Sequence, residues 1–245
     1  MKENKYDDKH FFEQYSQMPR SKEGLKAAGE WHEFKKLLPD FHQKVVLDLG
    51  CGFGWHCIYA ADHGAQKVLG IDLSKRMLTE AEAKQKTTSP VVHYEQKAIE
   101  DIDLEPETYD VVLSSLALHY VASFDEICQK VRVNLKSGGS FIFSVEHPVF
   151  TADGRQDWYT DEAGNKLHWP VDRYFNESVR TSHFLGEDVQ KYHRTLTTYI
   201  QTLLQNGFRI NSVIEPEPAP ELKALPEMQD EYRRPMMLLI SATKN

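Results

Sequence analysis

Apolar residues along this chain fall into short runs separated by stretches with a different period. Val45-Val46-Leu47-Asp48-Leu49 is the first run, and others follow at residues 68–71, 91–94, 109–114 and 140–145. Such runs, rich in Val, Ile, Leu and Phe without strict alternation, predict strands covered on both faces, as in a parallel sheet. Between them the spacing becomes helical. Residues 55–63 predict a helix stopped by Gly64, and residues 123–135 predict one closed by Ser137-Gly138-Gly139. Ser74 is placed to cap a further helix that runs to about residue 86, with Pro90 beyond it. Its hydroxyl can accept from an amide of the first turn. Strands and helices alternating at this spacing predict βαβ units.

The two ends of the chain depart from that rhythm. Leu25, Ala28, Trp31, Phe34 and Leu38 recur at helical spacing between turn signals at Pro19 and Pro39, within an otherwise polar segment. From 151 to about 190 periodicity fades, and aromatic, histidine and charged residues crowd together. Trp158, Tyr159, Trp169, Tyr174 and Phe175 need a surface to cover, so this stretch predicts a lid or cap rather than a linker. A helix resumes over 195–205 and stops at Asn206-Gly207. Two strands follow at 208–214 and 236–242, joined by a link whose Pro216, Pro218, Pro220 and Pro226 predict an extended loop.

Composition narrows the function classes. A length of 245 residues suits one α/β domain with additions. A net charge of −8 argues against general affinity for nucleic acid or anionic membranes. No apolar run approaches the ~20 residues of a membrane span, and Met1-Lys2-Glu3-Asn4-Lys5-Tyr6-Asp7-Asp8 has no apolar signal-peptide core. Cys51, Cys57 and Cys128 form an odd count without a disulfide pattern. They read as packing residues in a reducing cytoplasm.

The first apolar run carries the chemistry. It contains an acid, Asp48, and breaks into glycines at alternate positions, Gly50-Cys51-Gly52-Phe53-Gly54. Glycines directly after a strand permit a tight turn and close approach of backbone to a ligand. A carboxylate inside such a loop repels pyrophosphate, whereas a ligand with an ammonium and a sulfonium is attracted. S-adenosylmethionine therefore fits better than a dinucleotide. Trp55 also stands where a Gly-x-Gly-x-x-Gly loop has its last glycine, which disfavours the competing class, an NAD(P)-dependent oxidoreductase. Asp72 ends the next strand, where an acid can accept from both ribose hydroxyls, and Ala98-Ile99-Glu100-Asp101 follows the third strand, where an amide and an acid can read an adenine edge.

Together these residues resemble the class I S-adenosylmethionine-dependent methyltransferases, in the broad small-molecule (type 11) group. The resemblance rests on residues 45–54, Gly70-Ile71-Asp72-Leu73-Ser74, residues 98–101, residues 109–119 and Leu135-Lys136-Ser137-Gly138-Gly139. It covers residues 40–150, with a weaker echo over 192–208. It implies a doubly wound, seven-stranded, mostly parallel Rossmann-like sheet with a cap insertion. The divisions would be an N-terminal helical lid (1–44), a cofactor core (45–150), a substrate cap (151–193), and a helix with two strands completing the sheet (194–245). The implied activity is in-line methyl transfer from S-adenosylmethionine to a small-molecule acceptor, releasing S-adenosylhomocysteine. A non-catalytic cofactor-binding regulator is the competing non-enzyme, and the expected state is a monomer or homodimer.

By that resemblance Asp48, Gly50, Cys51 and Gly52 surround the methionine amino end, and Asp72 with Leu73 holds the ribose. The Ile99 amide meets the adenine beside Glu100 or Asp101, because Ala98 occupies the position where many relatives carry an acid. Ser115 and Leu116 line the methionine and sulfur. Tyr15, Met18 and Arg20 sit in a segment suited to folding over the cofactor, and the Arg20 guanidinium matches a carboxylate fork. On the acceptor side the candidates are His119, Glu146, His147 and His193, since a histidine near neutral pKa could take a proton where the acceptor must lose one. No metal is expected: there is no Cys-x-x-Cys pair, and His56 and Cys57 are adjacent rather than at ligand spacing.

Overall fold

The structure is a computed structural model that describes residues 4–85, 91–222 and 224–245. Its centre is a sheet of seven strands. In chain order they are β1 (Val45–Leu49), β2 (Lys67–Asp72), β3 (Val92–Gln96), β4 (Tyr109–Ser115) and β5 (Leu135–Glu146), then, after the cap, a final pair at Phe208–Ile214 and Met237–Lys244. β1 pairs in parallel with β2 on one side and β4 on the other, so the chain reverses its direction of travel across the sheet beside β1. That reversal opens a crevice at the carboxyl ends of β1 and β4, where open α/β sheets bind ligands. Only Met237–Lys244 runs antiparallel, between β5 and Phe208–Ile214.

The pleat sends alternate residues into two cores. Leu47, Leu49, Ile71, Val112, Phe141 and Phe143 face one side, and Val46, Val68, Val111, Leu113 and Ile142 face the other. The helices that cover them follow the sequence pattern. α1 (Lys9–Gln17), α2 (Pro19–Glu23) and α3 (Trp31–Leu37) precede the sheet, α4 (Trp55–Asp62) follows the glycine loop, and α5 (Lys75–Lys84) starts at Ser74. Ser74 Oγ accepts from Met77 N as its cap requires. α6 (Phe124–Asn134) and the last helix, Leu196–Gln205, are capped by Ser123 and Thr195 in the same way. Each fully buried Leu, Ile or Phe in these layers contributes ~1.5–3 kcal/mol. Lys86 and Pro90, expected at the end of the helix after Ser74, lie outside the described residues. Among the described residues no helix is long and apolar enough to cross a membrane.

Three expectations change. Ser137-Gly138-Gly139 does not close a helix; α6 ends at Asn134 and these residues belong to β5. The register between β4 and β5 shifts between Tyr109 and Val111, and Gly138, at φ +75°, absorbs the irregularity. The proline-rich link forms two 3-10 segments, Pro220–Leu222 and Pro226–Arg233, each opening on a proline whose fixed φ suits a first helical position. The cap contains α7 (Pro148–Thr151) at its root and two antiparallel hairpins, β6 (Tyr159–Thr160) with β7 (Lys166–His168) and β8 (Val179–Phe184) with β9 (Glu187–Tyr192). The second hairpin gave no strand signal because its buried positions are polar: Arg180, Ser182 and Lys191 face inward with Val189. Arg180 settles there by donating to the carbonyls of Ala152 at 2.9 Å and Asn176 at 2.8 Å. The remaining strands, Phe208–Ile214 and Met237–Lys244, are β10 and β11, and Leu196–Gln205 is α8.

Candidate active site

The glycine loop is held open by backbone contacts. Gly50 N and Cys51 N donate to the Ile71 carbonyl at 2.8 and 3.0 Å, and Gly52 N donates to Asp72 Oδ2 at 2.8 Å. Gly50 has φ +73°, and a Cβ there would stand 2.4 Å from Ala117 Cβ, so only glycine fits. Gly52 is different: its Cβ position has no neighbour within 4 Å, which leaves bare backbone against the crevice. Asp72 completes the loop, accepting from Ser74 N at 2.8 Å with its other oxygen. Burial raises its pKa, although these two amides oppose the shift.

A cavity of about 210 Å³ lies above these strand ends. Of the residues expected to hold the cofactor, Tyr15, Arg20, Gly50, Gly52, Asp72, Leu73, Ile99, Glu100, Ser115 and Leu116 line it, as does Met18. Cys51 lines a smaller, 70 Å³ recess that shares Tyr15, Arg20, Gly50, Gly52 and Ser115 with it. Glu100, not Asp101, forms the wall near Ile99. Leu116 adopts φ +52°, an uncommon geometry for a branched residue, and its amide is held by the Ser144 carbonyl at 2.9 Å.

Asp48, expected near the methionine amino end, is not among the residues that line the cavity. It is buried below the loop and lines neither cavity; Cys57 Sγ–H donates to its Oδ2 at 3.3 Å and its Oδ1 has no partner. Burial pushes its pKa up to about 7. Arg20 is also held within the protein: its Nη2 donates to Glu30 Oε1 at 2.9 Å. Glu30, which sequence reasoning missed, is 2% exposed, lies 3.4 Å from Ser115 Oγ through the same oxygen, and has an unpartnered Oε2. The available signal was an acid set inside the apolar stripe that runs from Leu25 to Leu38.

The N-terminal segment closes one side of the cavity with Asn4, Tyr6 and Tyr15. Asp7 pins it to the start of α5, accepting from Ser74 Oγ at 2.7 Å and Arg76 N at 3.1 Å. The β8–β9 hairpin closes the other side. The two covers meet where Phe11 and Phe184 pack edge to face at 6.0 Å and Lys5 pairs with Glu187 at 3.2 Å.

Beneath that junction His119, Glu146 and Lys191 line the cavity. Lys191 Nζ donates to Glu146 Oε1 at 2.6 Å and to Gln156 Oε1 at 2.9 Å, while Gln156 Nε2 donates to Glu146 Oε2 at 2.5 Å. Burial works against the ionised Glu146, but His119, Lys191 and these hydrogen bonds outweigh it and lower its pKa. His119 accepts from Glu146 N through Nδ1 at 3.4 Å. Burial drives its pKa down to about 4, so it is a neutral imidazole at physiological pH rather than one poised to titrate. Lys191 and Gln156 were not foreseen, because a lysine inside a polar cap segment reads as a solvated charge.

His147 and His193 are not brought to the cavity. His147 caps α7, accepting from Val149 N at 3.0 Å, and its Nε2 meets Glu215 at 2.7 Å. His193 is tied through both nitrogens, Nδ1 to Thr151 Oγ1 and Nε2 to the Tyr174 carbonyl, each at 2.8 Å. Among the described residues no group of three or more His, Cys, Asp or Glu side chains could hold a metal ion.

Comparison with known proteins accords with this geometry. The methyltransferase domain profile matches residues 46–139. A candidate S-adenosylmethionine-dependent methyltransferase of Listeria monocytogenes is 86% identical, superposes with a TM-score of 0.87, and the match covers 91% of this chain and 99% of that one. An S-adenosylmethionine-dependent methyltransferase of Mesorhizobium loti is 40% identical with a TM-score of 0.83 over 90% of this chain and all (100%) of that one. An uncharacterized Haemophilus influenzae protein is 33% identical over 98% of this chain and 96% of its own length. Two further relatives match over less than half of their length. They are a malonyl-[acyl-carrier protein] O-methyltransferase of Enterobacter lignolyticus (35% identity; 46% of this chain, 43% of that one) and a tRNA U34 carboxymethyltransferase of Hahella chejuensis (29%; 65% and 45%).

Proposed function

The chain belongs to the class I S-adenosylmethionine-dependent methyltransferases, and from that premise we propose that its acceptor is a small molecule. The bound cofactor supplies a methyl carbon already activated by an adjacent sulfonium. The residues present fit it: Gly52 offers bare backbone, and Glu30, whose Oε1 meets Arg20 and Ser115 of the recess wall, keeps a buried Oε2 without a partner, suited to a cationic amino end. In this reading Asp72 holds the ribose hydroxyls, the Ile99 amide and Glu100 border the adenine, and Ser115 and Leu116 flank the sulfur. Arg20, neutralised by Glu30, orients the carboxylate end. Residues 1–44 act as the lid, 45–150 as the cofactor core, 151–193 as the acceptor cap and 194–245 as the part that completes the sheet. Catalysis by such a site is mainly positional: holding two reactants in line replaces a bimolecular encounter.

The observation that carries the small-molecule reading is the meeting of the two covers beside His119, Glu146 and Lys191, which favours an acceptor small enough to reach a cavity of about 210 Å³. The net charge of −8 also disfavours a polyanionic acceptor such as tRNA. The three buried free thiols support a cytoplasmic setting. The test is incubation of the protein with methyl-tritiated cofactor and a fractionated bacterial extract. Label in the small-molecule fraction is expected; label confined to tRNA or to an acyl carrier protein would overturn the proposal.

A further inference from the structure

Charge at the acceptor end of the cavity is unbalanced. Lys191 and Glu146 neutralise each other, but Arg194 lies buried behind them with no carboxylate partner among the described residues. It donates to the carbonyls of Leu118 at 3.3 Å and Ala122 at 3.0 Å, and to that of Val121. With His119 neutral, the groups packed here sum to one positive charge, whereas Asp72 and Glu100 make the opposite end acidic. Two groups also keep a donor without an acceptor among the described residues. Lys191 uses two of its three N–H groups on Glu146 and Gln156, and its side chain is only 4% exposed. His119 accepts through Nδ1, which leaves the proton on Nε2, and that nitrogen has no partner among the described residues.

The same contacts weaken both candidate bases that line this end of the cavity. Both Glu146 oxygens are engaged by Lys191 and Gln156, and His119 Nδ1 is engaged by the Glu146 amide. An alcohol or phenol would find only a weak base for its proton, and an ammonium would be repelled. We propose that the methyl acceptor is an organic carboxylate, gripped through one oxygen by Lys191 and His119 while its other oxygen is methylated. Its apolar remainder packs on Tyr6, Tyr120, Val121 and Phe184. The carboxylate oxygen supplies the electron pair of the new O–CH3 bond, and the pair of the broken S–CH3 bond stays on sulfur. An anion and a sulfonium become a neutral ester and a thioether; no proton moves and no other reactant is needed.

This inference rests on the small-molecule reading, and its tests separate the two. Protein saturated with S-adenosylhomocysteine is titrated with benzoate and hexanoate, and with benzamide and hexanamide. The carboxylates bind about tenfold tighter than their amides or better, a gap of about 1.4 kcal/mol. Lys191→Met abolishes the preference, whereas Glu146→Gln, which removes the competing negative charge, preserves or increases it. A pair that mattered only for folding would lose binding in both variants. Equal binding of acids and amides, or a preference that survives Lys191→Met, overturns the proposal. In the labelled-extract experiment the small-molecule product should release volatile tritiated methanol on alkaline treatment, as methyl esters do. An alkali-stable small-molecule product refutes the carboxylate acceptor and leaves the small-molecule reading standing; label in a macromolecule refutes both.

Discussion

Asp72→Asn changes one atom and tests how the cofactor loop is held. Asp72 accepts from Gly52 N and from Ser74 N, both at 2.8 Å. An asparagine has one acceptor oxygen, so whichever way its amide turns, the –NH2 group confronts a backbone N–H. One charge-assisted hydrogen bond is lost, worth ~1.5–3 kcal/mol, and a buried amide is left unpaired. Removing the ionised carboxylate returns part of this, because burial already raises the Asp72 pKa. A net cost of ~1–2 kcal/mol at the loop corresponds to a factor of about 5–30 in an equilibrium, and loss of the ribose acceptor adds to it. Calorimetric titration with S-adenosylhomocysteine should therefore show affinity reduced by tenfold or more (~1.4 kcal/mol). 5′-Methylthioadenosine, which keeps the ribose and lacks the amino-acid end, should lose a similar factor. Wild-type affinity for both ligands in a variant of unchanged thermal stability would refute the reasoning.

Other consequences follow from the same contacts. Gly50→Ala combines φ +73° with a 2.4 Å approach to Ala117 Cβ and should cost ~2–5 kcal/mol in urea denaturation; adding Ala117→Gly should recover the clash but not the backbone strain. Asp48, at about 7 in the folded protein against about 3.9 when exposed, takes up a proton on folding between those values. Stability should therefore fall as pH rises between about 4 and about 7, by up to ~4 kcal/mol, and Asp48→Asn should flatten that slope in pH-dependent denaturation. His119, at about 4, should show neutral imidazole nitrogen shifts by NMR near pH 5.5, below the ordinary histidine value of ~6.5; a midpoint near 6.5 would contradict its burial. Asp7→Ala removes the carboxylate that accepts from Ser74 Oγ and Arg76 N, leaving only the Arg76 Nε contact to the residue 7 carbonyl. It should speed S-adenosylhomocysteine release several-fold and raise hydrogen exchange over residues 4–17.

The sequence by itself determined the sheet. The apolar runs at 45–49, 109–114 and 140–145 mark strands buried on both faces, as in a mostly parallel sheet covered by helices, and the glycines after Asp48 mark a tight turn at the end of the first strand. These are local statements, because strand burial, capping and turn geometry are set by residues a few positions apart. What the tertiary structure decided is which polar residues are lifted out of water. Glu30 and Lys191 carry no local mark that separates them from solvated charges, and His147 and His193 look as promising in sequence as His119. Their fates are settled by partners 10 to 68 positions away: Arg20 for Glu30, Glu146 for Lys191, Thr151 for His193 and Glu215 for His147. Burying a charge is tolerable only where such a partner waits, and that pairing exists only once the N-terminal segment and the cap have folded over the sheet.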